Sequence, residues 1–479
     1  MKFMKIKKLI ALATTALVGA SIFAGCSNTA TSKKSDVVTL KWYTIGAEPK
    51  DLQLVEDEAN KYLEEKIGVN IDMNFIDYGE YSQKLGVIIN SGEAYDLAFT
   101  CSWAGDYLGN ARKGAFLDLT SYLDTTGSEM KEAIDQRFWD GAEVDGGIYA
   151  VPNQKEISTA PMWVFTKEYV DKYNIPYTEI HSLEDLEPWL KLIKENEPDV
   201  TPLYITKGFS APQYFEQLVD PIGVEYGDNE LVVKNMFETD KMKSTLETLR
   251  KYYQAGYINA DSATAQDDKA VKRFVTKGDG QPYAEVLWSK DLKYDVVASQ
   301  ITDSYITNAS TTGSMIAVSK NSKNPDKAVE FLNLLNTDEY IRNLLNYGIE
   351  GTHYESVNDK QIKLTDKASD YSVGYYTLGN LFITKVLDNE PETKWDEFKE
   401  FNDEAKKSAV LGFKFDTSKV TNEIAAINNV LEEFKSTLYS GSVDVDEYLN
   451  KLNKKLKDQG IDRVIEEMQT QLDAWLAEQ

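Results

Sequence analysis

The chain has 479 residues, 42% hydrophobic and 27% charged, with a formal net charge of −26. That composition is globular, and the length exceeds what one core usually holds, so two domains or lobes are expected. No basic stripe breaks the acidic balance, which excludes nucleic acid as a partner and argues against adhesion of the folded part to anionic lipid.

The N-terminus reads as a targeting segment. Lys2, Lys5, Lys7 and Lys8 precede an apolar run that ends at Cys26. The run is short for a membrane span, and small residues fill the region where a signal peptidase would cut. Phe23-Ala24-Gly25-Cys26 resembles a bacterial lipoprotein signal, with Phe23 standing where Leu is usual. The resemblance implies a signal peptide over 1–25 and a lipidated Cys26; a plain signal peptide and a membrane span are the alternatives. A diacylglyceryl group carries two acyl chains, enough for stable attachment. Residues 26–36 are polar and small and make a tether. Cys101 is the only other cysteine, so there is no disulfide framework and Cys101 is expected as a free thiol. His181 and His353 stand alone without zinc spacing, and no metal or cofactor is expected.

Val37 to Ile45 reads as a strand, and Gly46 turns the chain. Pro49 to Lys66 has helical periodicity through Leu52, Val55, Ala59, Tyr62 and Leu63. Val69 to Phe75 alternates as a second strand and Gly79 to Asn90 is a helix. Tyr95 to Thr100 is a short buried strand and Trp103 to Lys113 a helix. This rhythm predicts an open sheet with helices on both faces, whose ligands sit beyond the carboxyl ends of the strands. Tyr43–Gly46 and Thr100–Trp103 then share one rim.

After the turn at Gly146-Gly147, Ile148 to Val151 is β-prone and Pro152 breaks the ladder. Asn153, Gln154, Lys155 and Glu156 put four polar side chains in a row before the strand Met162 to Phe165. A chain that leaves one core, crosses a polar gap and enters another is what a two-lobed protein needs at its waist. An ordinary polar loop is the alternative. The second lobe would begin near Thr159. Tyr169–Tyr173, Leu183–Glu195, Pro212–Val219, Lys241–Ala255 and Asp267–Lys277 read as helices. Glu225–Val233 reads as a hairpin, and Pro282–Trp288 and Tyr294–Val297 as strands. Gly313–Val318 is a further strand that returns to the first lobe. Asn324 as cap and Pro325 at the first helical position open a helix whose apolar residues run on to Leu345. Lys394–Lys407, Thr421–Tyr439, Val445–Gln459 and Asp462–Ala477 are helical, the last burying Val464, Ile465, Met468, Leu472 and Trp475 on one stripe.

In their order these pieces resemble a known group. The lipoprotein signal, DLAFTCSW from Asp96, IYAVPNQ from Ile148, NPDKAVEFLNLL from Asn324 and NYGIEGTHY from Asn346 are similar to extracellular solute-binding proteins of carbohydrate ABC importers. SVGYYTLGN from Ser372, LGFKFD from Leu411 and EEMQTQLDAWL from Glu466 resemble the domain of unknown function that closes LipO-type lipoproteins. The resemblance implies an α/β, two-lobed periplasmic-binding-protein-like (type II) fold with a helical C-terminal extension. Its N-terminal lobe would be 37–152 and 305–370, its C-terminal lobe 153–304, and its helical C-terminal domain 371–479. It also implies a monomer, lipid-anchored on the extracellular face of the cell membrane, that hands an oligosaccharide to ABC importer permease subunits and is not an enzyme.

An aromatic face stacks on a pyranose ring, while amides and carboxylates bind its hydroxyls. The aromatic candidates are Tyr43 and Trp103 on the rim, Trp163 after the crossing, Trp288 in the second lobe, and Tyr347 and Tyr354 flanking the GIEGTH loop; core packing is the alternative for each. Asn153, Gln154 and Glu156 are the polar candidates, unless they bind hinge backbone. Glu350 and His353 sit in a glycine-flanked turn where capping is the alternative, and Asn380 is a further candidate. A uronate calls for a planar Arg fork, yet Arg112, Arg137, Arg250, Arg273, Arg342 and Arg463 all fall in predicted helices away from the rim, which favours a neutral sugar. A glycosidase pair or an anchored scaffold are the other classes. There is no Gly-x-Ser-x-Gly elbow, phosphate loop, HExxH or GxGxxG to single out chemistry.

Overall fold

The computed structural model describes residues 37–212 and 214–478. The expected signal segment, tether and Cys26 lie outside the described residues. The first strand, Val38–Ile45, pairs in parallel with Val69–Ile76 along its whole length and with Leu97–Thr100 on its other side. The helix Leu52–Ile67 between the first two strands buries Val55, Ala59 and Leu63, the spacing that its sequence shows. It stops at Gly68, whose φ of 68° lets its N–H turn back onto the carbonyls of Leu63 and Glu64. Met315–Val318 then inserts antiparallel beside Leu97–Thr100, and Val151–Pro152 closes the far edge. The expected return of the chain to the first lobe is therefore observed.

The second sheet has the order 296–300, 160–166, 273–280, 201–203. Ala160–Thr166 lies antiparallel to both neighbours. Residues 153–159 and 301–314 join the two sheets, and the chain crosses a third time near residue 408. The three C-terminal helices, Thr421–Tyr439, Val445–Asp458 and Ile461–Leu476, put Leu431, Leu452, Leu456, Val464, Met468 and Leu472 into the core that also holds Trp163, Phe237 and Leu246. Tyr371, Leu378 and Ala405 belong instead to the core of the first sheet. The stretch 371–479, expected as one helical domain, is thus divided between the two cores. Apolar stripes at spacings of three and four must be covered, and the helix Asp240–Gln254 offers these helices the nearest apolar face. Each fully buried leucine there contributes about 1.5–3 kcal/mol.

Several expected elements differ. Phe215–Val219 is a strand, not a helix, paired with Ile222–Glu225, which also meets Lys234–Asn235 across a wide loop in place of the tight hairpin expected at Glu225–Val233. Arg273–Gly280 is a central strand, not a helix; its run Phe274-Val275-Thr276 suits a pleated sheet flanked on both sides. Arg273 therefore lies in a strand. Ala284–Leu292 is a helix, not a strand: Val286 and Leu287 are exposed, so its apolar run reflects surface exposure rather than burial on two sheet faces. The helix begun at Pro325 ends at Thr337, because Asp338 caps a second helix, Glu339–Tyr347, by accepting from the Ile341 amide. Asn324 stands at the cap position but makes no side-chain capping bond. The helix expected from Trp103 begins only at Tyr107 and that from Lys394 ends at Glu404, Lys406–Lys407 pairing instead with Tyr305–Ile306.

Candidate functional site

The strand Leu97–Thr100 ends in a tight turn. The Cys101 amide donates to the Ala104 carbonyl, and the buried Cys101 thiol, pushed up to about 11 by burial, donates to the same oxygen. Cys101 is a free thiol. The turn lifts Trp103 to the surface, 54% exposed. Its indole N–H donates to the Gly313 carbonyl at 2.8 Å, and the Ser102 hydroxyl donates to the Ala309 carbonyl at 2.9 Å. Two bonds to one crossing segment fix the ring without covering it. Phe99 beneath packs 5.8 Å from the Trp103 ring and 6.1 Å from Tyr376, and Trp103 and Tyr376 are 6.4 Å apart. Tyr376 shares a 2.6 Å hydrogen bond with the hydroxyl of Tyr78, itself 56% exposed. Burial, then that bond, push the Tyr376 phenol well above its ordinary range, so it stays a neutral donor.

The polar residues of the waist hold this platform. Asn153 donates to the Ser314 hydroxyl and the Tyr376 carbonyl and accepts from the Gly379 amide. One buried side chain thereby clips the first crossing to the second and to the 376–379 segment, which packs with the first-lobe core. Gln154 accepts from the Asp135 amide. Glu156 accepts from Lys155 at 2.8 Å and from the Tyr375 hydroxyl at 3.4 Å through Oε1, while its buried Oε2 has no hydrogen-bond partner. A buried carboxylate oxygen without a donor is costly, and a ligand hydroxyl would satisfy it. Arg342, fully buried, donates to the Tyr375 carbonyl from beneath. Burial lowers its guanidinium.

Facing the crossing from the second lobe is a cavity of about 260 Å³. Thr159, Pro161, Lys277, Asp279, Tyr305 and Ser310 are among its walls. Tyr305 lies flat against Tyr226, 3.7 Å between centroids at 9°. Trp288 is half-buried over the strand Arg273–Gly280, where a Cβ on Gly278 or Gly280 would come within 2.8 or 2.7 Å of its ring. At the corner before it, the Tyr283 phenol donates to Glu397.

Behind the cavity the lobes are tied by a charged knot. Glu216, 3% exposed, accepts from the Ser408 hydroxyl and from the amide and side chain of Asn308. Asn308 Oδ1 accepts from Lys414, whose ammonium also donates to the Gly141 carbonyl at 2.6 Å. Burial raises the Glu216 carboxyl and lowers Lys414 to about 8.

Of the sequence candidates, the structure brings together Trp103, Asn153 and Glu156, linked through Tyr375 and Tyr376. Trp163 is fully buried and donates to the Ser182 carbonyl. Tyr43 spends its hydroxyl on Glu93. Tyr347 donates to the Lys385 carbonyl and packs edge-on against the buried Tyr354. His353 accepts the Ile349 amide at Nδ1, which leaves Nε2–H to donate to Asp51. Glu350 is exposed in the same turn. Asn380 caps Leu381–Ile383 and donates to the Asn336 carbonyl. Tyr78, Tyr375 and Tyr376 join the platform without having been among the sequence candidates. The Tyr-Tyr pair after Gly374 is a visible signal, but only the bonds of Asn153, Ser314 and Arg342 to its carbonyls hold it at the rim.

A family model described as bacterial extracellular solute-binding protein matches residues 46–341, and one described as a domain of unknown function (DUF3502) matches 409–477. The chain is 36% identical to a carbohydrate ABC transporter substrate-binding protein of Streptococcus pneumoniae serotype 4, over 99% of each chain. It is 24% identical to lipoprotein LipO of Bacillus subtilis, over 74% of this chain and 75% of that one. Among solved structures, the N-glycan transport solute binding protein (NgtS) of Streptococcus pneumoniae superposes with a TM-score of 0.86 at 35% identity, over 92% of this chain and 99% of that one. The same protein in complex with Man1GlcNAc and with Man5GlcNAc gives 0.77 and 0.74, both at 34% identity and over 92% of this chain.

Proposed function

Since this chain belongs to the bacterial extracellular solute-binding protein family, we propose that it captures a neutral oligosaccharide between its two lobes and passes it unchanged to the permease of an ABC importer. The observation that carries the reading is the exposed Trp103 indole, tilted against Tyr376 beyond the carboxyl end of a strand and linked through Tyr376 and Tyr375 to Glu156, whose Oε2 lacks a donor. Ring faces take the apolar side of a pyranose and the carboxylate takes its hydroxyls. NgtS is described with bound Man1GlcNAc and Man5GlcNAc, which makes mannose- and GlcNAc-containing glycans the first candidates. Similarity is greater to NgtS described alone than to its glycan complexes, which supports lobes that rotate together on the ligand. A neutral ligand is favoured by the arginines near the platform. Arg342 lies buried beneath Tyr375, and Arg137 is spent on Asp135 and Asp403. The protein acts as a monomer held to the membrane through a lipidated Cys26.

Calorimetric titration with Man1GlcNAc, Man5GlcNAc, malto-oligosaccharides and oligouronates tests the reading. The expected affinity is on the order of micromolar, about −8 kcal/mol, for a neutral glycan, with a smaller radius of gyration at saturation. Binding of oligouronates alone would overturn the charge argument, and binding of none would overturn the sugar. Cys26→Ser should release the protein from the membrane fraction; an unchanged fraction would remove the anchor.

A further inference from the structure

A second and larger cavity, about 670 Å³, lies between the strands Phe215–Val219 and Ile222–Glu225 and the helix Asp240–Gln254. It falls within the range of about 300–1,000 Å³ in which proteins hold small ligands. Phe215, Tyr226, Thr302, Asp303 and Tyr305 line both this cavity and the smaller one at the lobe crossing. The stacked Tyr226 and Tyr305 are therefore a shared wall, and the concave surface continues past them from the cleft into the C-terminal lobe.

We propose that this cavity is a separate sugar subsite that takes an outer arm of a branched neutral glycan whose inner residues lie at Trp103. The inference rests on the oligosaccharide reading above. Its walls alternate ring faces with donors and acceptors, as a pyranose requires. Lys241 holds its ammonium 3.3 Å from the centroid of Tyr214 and places a donor beside an aromatic wall. His181 donates from Nδ1 to the Gln300 carbonyl at 2.7 Å, which fixes the ring and leaves Nε2 as an acceptor. Glu225 and Asp303 add acceptors, Glu225 paired with Lys234 and Asp303 with Lys406.

The test compares Man1GlcNAc with Man5GlcNAc by calorimetry on the wild type, Tyr214→Ala, Tyr214→Phe and Thr245→Trp. On this proposal a disaccharide held at Trp103 leaves the second cavity empty and a branched glycan fills it. Tyr214→Ala and the cavity-filling Thr245→Trp should each weaken Man5GlcNAc about tenfold, roughly the worth of one aromatic contact, and change Man1GlcNAc less than about twofold. Tyr214→Phe keeps the ring and should bind Man5GlcNAc like the wild type. Equal losses for both glycans, or no loss for Man5GlcNAc in either Tyr214→Ala or Thr245→Trp, would overturn the subsite while leaving the Trp103 site in place. A wild type that binds neither glycan would overturn both.

Discussion

The platform at Trp103 and the knot at Glu216 hold the same short segment, Asn308 to Gly313, on opposite terms. Trp103 uses its one N–H on Gly313 and leaves more than half of its side chain in solvent. Glu216 is almost wholly buried, and both of its oxygens accept bonds from the crossing segments. A group that recognises a ligand must keep surface unspent, because only surface still in water gains from being covered. A group that joins two lobes must have its hydrogen bonds made, because a buried charge without them costs several kcal/mol. Stability and recognition should therefore separate cleanly between the two assemblies.

The largest expected effect is in the knot. Glu216→Ala removes the acceptor for Ser408 and Asn308 and the negative charge nearest Lys414, and should cost about 3–5 kcal/mol in urea denaturation. A loss below about 1 kcal/mol would show that the knot does not hold the lobes.

Lys414 sharpens the comparison through pH. Its buried ammonium titrates at about 8, below the ordinary lysine value of 10.5. Between those values the unfolded chain binds the proton and the folded protein does not, so this group makes stability rise with pH across that window. The stability of wild type minus that of Lys414→Met should climb from pH 8 to 10.5 by at most about 3 kcal/mol. A difference that stays flat or falls, measured by urea midpoints at both ends, would count against a buried charged lysine.

At the platform the balance reverses. Trp103→Ala should weaken glycan binding by about 1–3 kcal/mol, roughly fivefold to 150-fold, while the melting temperature without ligand stays near that of the wild type. A large melting shift would make Trp103 a structural residue. The smallest effect belongs to Tyr78→Phe, which deletes one exposed hydrogen bond to Tyr376 and should change stability by about 0.5 kcal/mol or less; a tenfold loss of glycan affinity in this variant would instead give the Tyr78 hydroxyl a direct role.

Local patterns were legible where one period dominated. The helix Leu52–Ile67, the strand Val69–Ile76 and the three C-terminal helices follow from apolar residues at spacings of three to four or of two. Arg273–Gly280 and Ala284–Leu292 differ from the elements their sequence predicts because short apolar runs look alike in strands and helices, and their neighbours decide between them. The same holds for the aromatic candidates. Trp103 and Trp163 each follow a polar or strand-end signal, yet one is lifted into solvent by the turn at Cys101–Ala104 and the other is fully buried with its N–H on Ser182.

The amino-acid sequence by itself determined the two-lobed α/β class, the polar waist at Asn153–Glu156 and the return strand near Gly313, because hydrophobic period and turn chemistry act over a few residues. Only the tertiary structure decided that Tyr376 meets Trp103, that Asn153 clips two crossings to the 376–379 segment and that residues 371–478 divide between two cores. Those pairings join residues more than 150 positions apart. Their partners are selected where distant segments of the chain close on one place, and no local period records which distant side chain arrives there.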